Sequence, residues 1–230
     1  FFPLVFIICM SLYIDVELYE KKSKLVSVKE IINLNEKISL LLHETQKERG
    51  SSAGFIGSSG LKFKDTLISQ RELTNKNIEE FKKVISQIPV ESYPENGKTI
   101  MDKALKELAN IQSVRADIDG LKIDAKKAIA YYTDLNSTLL SFVALTSTIA
   151  KSESSTKNII AYYNFLMAKE RAGIERAVGS NAFATKTFAS GMYVKYLGLV
   201  NEQKIFFDAF FMYAGDNQTF FNEKIKKLQL

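Results

Sequence analysis

The chain has 230 residues and a formal net charge of +5, with 46% apolar and 25% charged residues. That length can bury a substantial core in one large domain or two small ones, and only three prolines and eleven glycines favour long helices. A single cysteine, Cys9, and a single histidine, His43, exclude an internal disulfide and a Cys/His zinc site, while lysines spread without a dense basic block argue against a nucleic-acid partner.

The chain opens on FFPLVFIICMSLYI, fourteen residues without a charge, and turns polar at Asp15. As a helix this run reaches about 21 Å, whereas a full membrane span needs about 20 apolar residues. Residues 1–14 are therefore expected to be a clipped transmembrane helix, with a buried core helix as the alternative. A very long first helix is predicted from this start to about Ile56, through Leu34, Ile38, Leu41, Leu42 and Thr45, with GSSG at 57–60 as its stop.

A second helix follows to about Ile88, with Phe63, Leu67, Ile78, Phe81 and Ile85 as its inner face. PVESYPENG is the clearest loop. A third helix carries Ile100, Met101, Ala104, Leu108, Ile111 and Ile118 at helical spacing, and Gly120 breaks it from a fourth that runs through Tyr131, Leu135, Leu139 and Phe142 to about Ile149. A fifth spans about 155–182 and a sixth runs from Met192 to about Ala214. The polar segment 216–230 is expected to begin a helix leading back to the membrane. With no alternating strand pattern, the expected class is all-α: an antiparallel helical bundle, built as two four-helix bundles that share long helices.

The chain also repeats itself. QKERGSSAGFIGS at 46–58 aligns without gaps to AKERAGIERAVGS at 168–180, so that Lys47, Glu48, Arg49, Gly57 and Ser58 match residues 122 positions later. Of the five arginines, Arg49, Arg71, Arg115, Arg171 and Arg176, three lie in these two copies. Arginine offers a planar fork that grips a multi-oxygen anion in a bidentate way, which lysine cannot copy. The competing reading pairs these arginines with Glu44, Glu48, Glu170 or Glu175. Gly50, Gly54 and Gly57 form a bare stripe on the first copy. Gly54 aligns with Arg176, so the stripe is read as clearance for that side chain, and Arg49 and Arg176 are expected to converge on one small pocket. His43 has no evident catalytic partner and is read as structural or solvated.

At these residues the sequence resembles the NIT domain, the nitrate- and nitrite-sensing helical domain of bacterial signalling proteins. The resemblance rests on LHETQKERGSSAGFIGS, LISQRELT with Gln70 and Arg71, AKERAGIERAVGSNAFA and NEQKIFFDAFF, and it covers about residues 30–215. It implies an all-helical sensor over 15–215 that binds nitrate or nitrite through Arg49 and Arg176, with Arg171 third and Gly50, Ala53 and Gly54 beside them. Together with the apolar start, it implies the periplasmic sensor of an inner-membrane protein, most simply a methyl-accepting chemotaxis receptor that works as a homodimer. A helical spacer or dimerisation module without a ligand is the alternative. An enzyme is not expected, since no phosphate-binding glycine loop, Ser/His/Asp set or metal cluster is present, and no cofactor is implied.

Overall fold

The computed structural model describes residues 2–215 except 90, 91 and 151, together with 219 and 223, and gives backbone alone at 2–9 and 19–28. Seven α-helices are formed among the described residues: α1 (Phe2–Gly57), α2 (Lys64–Gln87), α3 (Gly97–Ala109), α4 (Ile111–Asp119), α5 (Ala125–Leu145), α6 (Glu153–Thr185) and α7 (Met192–Tyr213). The predicted third helix is divided at Asn110, and the fourth tightens into a 3-10 turn over Thr146–Ile149.

Local chemistry sets the helix ends. The Asp124 carboxylate accepts from the Lys127 amide and starts α5, and the Ser152 hydroxyl accepts from the Ser155 amide to start α6. Ile88 precedes Pro89, which excludes helical backbone there and stops α2. Between α1 and α2 the chain turns through Gly60 at φ 81° and Phe63 at φ 68°. Phe63 therefore ends the turn rather than lining the α2 core, and its ring, 40% exposed, lies over Gly54.

Two adjoining cores hold the helices together. The larger buries Leu34, Ile38 and Leu41 of α1 against Phe81 of α2, Met101 of α3, Ile118 of α4 and Leu139 of α5. The smaller joins Ala53 of α1, Ile129 of α5, Ile174, Ala177 and Val178 of α6, and Leu199 of α7. Thus α1 and α5 belong to both groups, as expected for bundles that share long helices. The ties from Asn35 to Thr146 and from Arg49 to Thr133 show α5 running antiparallel to α1. In contrast, Gln46 reaches Glu170 and Ala53 reaches Asn181, so α1 and α6 run parallel.

The expected transmembrane helix at 1–14 is not supported. These residues open α1, but no helix among the described residues is long and apolar enough to cross a membrane. The expected helix at 216–230 lies outside the described residues apart from 219 and 223.

The Phe81 side chain is fully buried in the larger core. Phe81→Ala should lower unfolding stability by about 3–5 kcal/mol, measured by urea denaturation; a loss near zero would contradict this core.

Candidate functional site

The two repeat copies sit side by side on α1 and α6, and their shared residues are spent differently. Glu48, fully buried, takes both nitrogens of a bidentate pair with Arg115 of α4, Nε at 2.7 Å and Nη2 at 2.8 Å. It also accepts from the Tyr132 hydroxyl at 2.8 Å. Burial, with Glu48 beside it, pushes the Tyr132 phenol far above its ordinary range, so that it stays a donor. Burial works against charge on Arg115, but the Glu48 carboxylate overcomes this and holds the guanidinium above its ordinary value. This pair is saturated.

The second copy's matching glutamate, Glu170, closes a different network. Arg49 is 0% exposed, and its Nη1 donates to Glu170 at 2.5 Å and to the Thr133 hydroxyl at 2.9 Å. Its Nη2 reaches the other Glu170 oxygen at 3.3 Å. Gln46 and Asn136 add donors to Glu170 at 2.7 and 3.1 Å, and Thr45 donates to Asn136 at 2.7 Å. Charge buried at this depth is tolerated only when paired and hydrogen-bonded. The Arg49 Nε nevertheless has no hydrogen-bond partner, and the Ser52 hydroxyl stands beside the Tyr132 phenol without a bond of ordinary geometry. They stand three residues apart on α1, hence on one helix face.

Glycine does provide clearance, though not at the expected position. A Cβ at Gly173 would lie 2.7 Å from Arg49 Nη2, so this α6 glycine is what lets the guanidinium cross the facing helix. A Cβ at Gly54 would meet the Phe63 ring at 2.6 Å, whereas the atom nearest Gly50 is Arg176 Nε, 3.9 Å from its Cβ position. Arg176 thus faces Gly50, four residues or one turn before its sequence-aligned partner. The repeat aligns at an offset of 122, but the parallel helices pack with a stagger that the alignment could not reveal.

Arg49 and Arg176 therefore lie on adjacent sides of the α1–α6 seam, one buried toward α5 and the other exposed. They do not converge in this arrangement. Arg171 turns away onto α7, where it pairs with Glu202 at 2.5 Å and lies 5.4 Å from the Phe206 ring centre. Ala53 is buried in the smaller core, and its carbonyl accepts from Asn181 at 3.4 Å.

Beside Arg176, Lys47 and Lys169 make the outer seam cationic around Glu44 and His43. Desolvation and the Lys169 charge hold the His43 imidazole below its ordinary range, with Glu44 opposing. Burial likewise depresses the Lys169 amine, opposed by Glu44 and reinforced by Arg176. Glu170, Gly173, Thr133, Asn136 and Ser52 complete the site. Their signal in the sequence was slight: a mid-helix glycine in the second copy, and a glutamate read as a competing partner of the arginines.

A family model described as nitrate and nitrite sensing matches residues 40–228. The nitrate regulatory protein of Klebsiella oxytoca is 24% identical over 183 residues, which cover 79% of this chain and 46% of that protein. A solved structure of the NasR transcription antiterminator matches with a TM-score of 0.80 at 22% identity, over 89% of this chain and 57% of that one. The second likeness establishes a shared helical fold. The chain spans about half the length of the relatives it matches. Those relatives are named a regulatory protein and a transcription antiterminator, and no membrane-crossing helix occurs among the described residues. The expected chemotaxis receptor, its membrane attachment and its periplasmic inner-membrane location are overturned. The lack of a basic block speaks only for this segment, because the relatives extend well beyond it.

The folded chain binds a proton on His43 less readily than the unfolded chain does. Stability should therefore fall as pH drops through the ordinary imidazole value of about 6.5. His43→Gln should flatten the melting temperature between pH 7 and pH 5 (about the range of imidazole titration). An unchanged profile in the variant would contradict the depressed imidazole.

Proposed function

The chain belongs to the nitrate and nitrite sensing family, and from that membership we propose that it binds a nitrate or nitrite anion at the α1–α6 seam. Arg49 is the principal ligand. The observation that carries this assignment is a fully buried guanidinium whose Nε lacks an acceptor, one turn from the Ser52 hydroxyl beside Tyr132. Both are donors, and what the site lacks is oxygen. A planar oxyanion has two coplanar acceptors for the fork and a further face for a hydroxyl.

Charge gives Arg176 its part. Arg49 and Glu170 already sum to neutrality, so an added anion leaves the pocket negative unless another cation approaches. Arg176 is placed to approach across Gly50, whose missing side chain leaves its Nε as the nearest atom there. Gly50 and Ala53 keep the α1 wall low. On this reading the Arg171 pair with Glu202 ties α7 to α6, so that a movement of α6 is carried to α7. The chain acts as the sensing part of a regulatory protein, with the response made elsewhere, and carries out no catalysis.

Arg49→Lys keeps the charge and removes the fork. Nitrate affinity measured by isothermal titration calorimetry should fall by about tenfold or more, with helical content unchanged and chloride as the control anion. An unaltered affinity would remove Arg49 from the site. Heat and melting temperature indifferent to both nitrate and nitrite in the unmodified chain would favour a ligand-free helical spacer.

A further inference from the structure

The arrangement described above also shows what Arg49 holds when no anion is present. Glu170 is a planar, delocalised monoanion that offers two coplanar oxygens to the Arg49 fork, the same chemistry that nitrate would offer. We propose that Glu170 is a tethered internal anion that competes with the ligand for Arg49, so that binding is an exchange in which the oxyanion takes the guanidinium from the Glu170 carboxylate. This inference rests on the nitrate reading of the site.

Three features of the geometry support exchange over a fixed structural pair. First, the grip on Arg49 is uneven: Nη1 is held at 2.5 Å and Nη2 at 3.3 Å, while Nε is left without an acceptor. A saturated pair looks different in this same protein, since Glu48 takes Arg115 through Nε and Nη2 at 2.7 and 2.8 Å, with Tyr132 and Asn75 completing both partners. Second, Glu170 keeps two hydrogen bonds when Arg49 leaves. Gln46 and Asn136 donate to it at 2.7 and 3.1 Å, and neither bond involves the guanidinium. Both donors go to Oε2, so Oε1 gives up its Arg49 bond and the carboxylate charge must be balanced anew, the part that falls to Arg176. Third, the guanidinium lies against Gly173, where a Cβ would sit only 2.7 Å away, so the α6 surface beneath it is open backbone.

Two consequences follow. Internal competition lowers apparent affinity by the fraction of time that Arg49 is free of Glu170, which places the sensor's threshold under the control of one α6 side chain. Exchange also cuts the strongest polar tie from α6 to α1, so the same event that fills the site frees α6 to shift along the seam. Chloride, a single spherical acceptor, offers the fork no pair of coplanar oxygens and is a poorer match than the carboxylate.

The test is titration of the full chain with sodium nitrate, with sodium chloride at matched ionic strength, for the unmodified protein, Glu170→Gln and Glu170→Asp. Glu170→Gln keeps the shape and removes the competing charge, and its nitrate affinity should rise by about tenfold or more. Glu170→Asp withdraws the carboxylate by one methylene and should bind more tightly by a smaller factor. Equal or weaker binding by Glu170→Gln with unchanged helical content overturns the proposal. If Glu170→Gln does not fold without an anion, Glu170→Asp decides by the same criterion. Should the unmodified chain show no nitrate binding, the function assigned above fails; nitrate binding gained in the variant would still support internal competition, and silence in both would end it.

Discussion

A guanidinium with no exposure to water needs a counter-charge, and in this chain Arg49 is completely enclosed. Much of the local architecture follows from that requirement. Glu170 must come from α6 at the height of Arg49, which fixes how far α6 slides along α1. Gly173 must stand beneath the guanidinium, because any Cβ there would occupy its space. Asn136 and Thr133 must face inward from α5, so three helices are registered by one charge. Next to it the Glu48–Arg115 pair ties α1 to α4, and Tyr132 holds it from α5. The apolar cores supply most of the driving force for collapse, but they are tolerant of small slides. The buried charges are not.

The two pairs show how one repeated segment is put to two uses. Glu48 and Glu170 occupy matching places in the repeat, yet one is locked by a saturated bidentate partner and the other is held unevenly. Satisfied pairs make rigid structure, whereas a pair that leaves a donor without an acceptor leaves a place for something else. That contrast makes the α1–α6 seam a more natural binding place than the α1–α4 contact, although both hold a buried arginine.

Much of the fold was legible. Helical spacing at Leu34, Ile38 and Leu41, and again at Leu135, Leu139 and Phe142, identifies core faces because period and burial are the same fact seen in sequence and in space. Arg49 was legible too, through the scarcity of arginine and the repeat. Its partner was not, because periodicity gives the face of a helix and leaves open the height at which two helices meet. The stagger of one turn moved Arg176 from Gly54 to Gly50 and left Gly54 to the Phe63 ring. Phe63 itself followed its apolar character in sequence, but a left-handed backbone placed it in the turn. Arg171 matched the repeat and still turned toward α7, since a neighbouring helix outweighs internal symmetry. The apolar opening misled most: a run without charges suggested a membrane, but no helix among the described residues is long and apolar enough to cross one, and the relatives are regulators of another kind.

The central claim is that an incoming oxyanion takes Arg49 away from Glu170, and a crystal structure of this chain grown in nitrate tests it most directly. Nitrate should lie within hydrogen-bond distance of the Arg49 guanidinium, with Glu170 held by Gln46 and Asn136 alone and Arg176 drawn in across Gly50. Nitrate bound elsewhere, or bound while the Arg49–Glu170 pair remains intact, would contradict it.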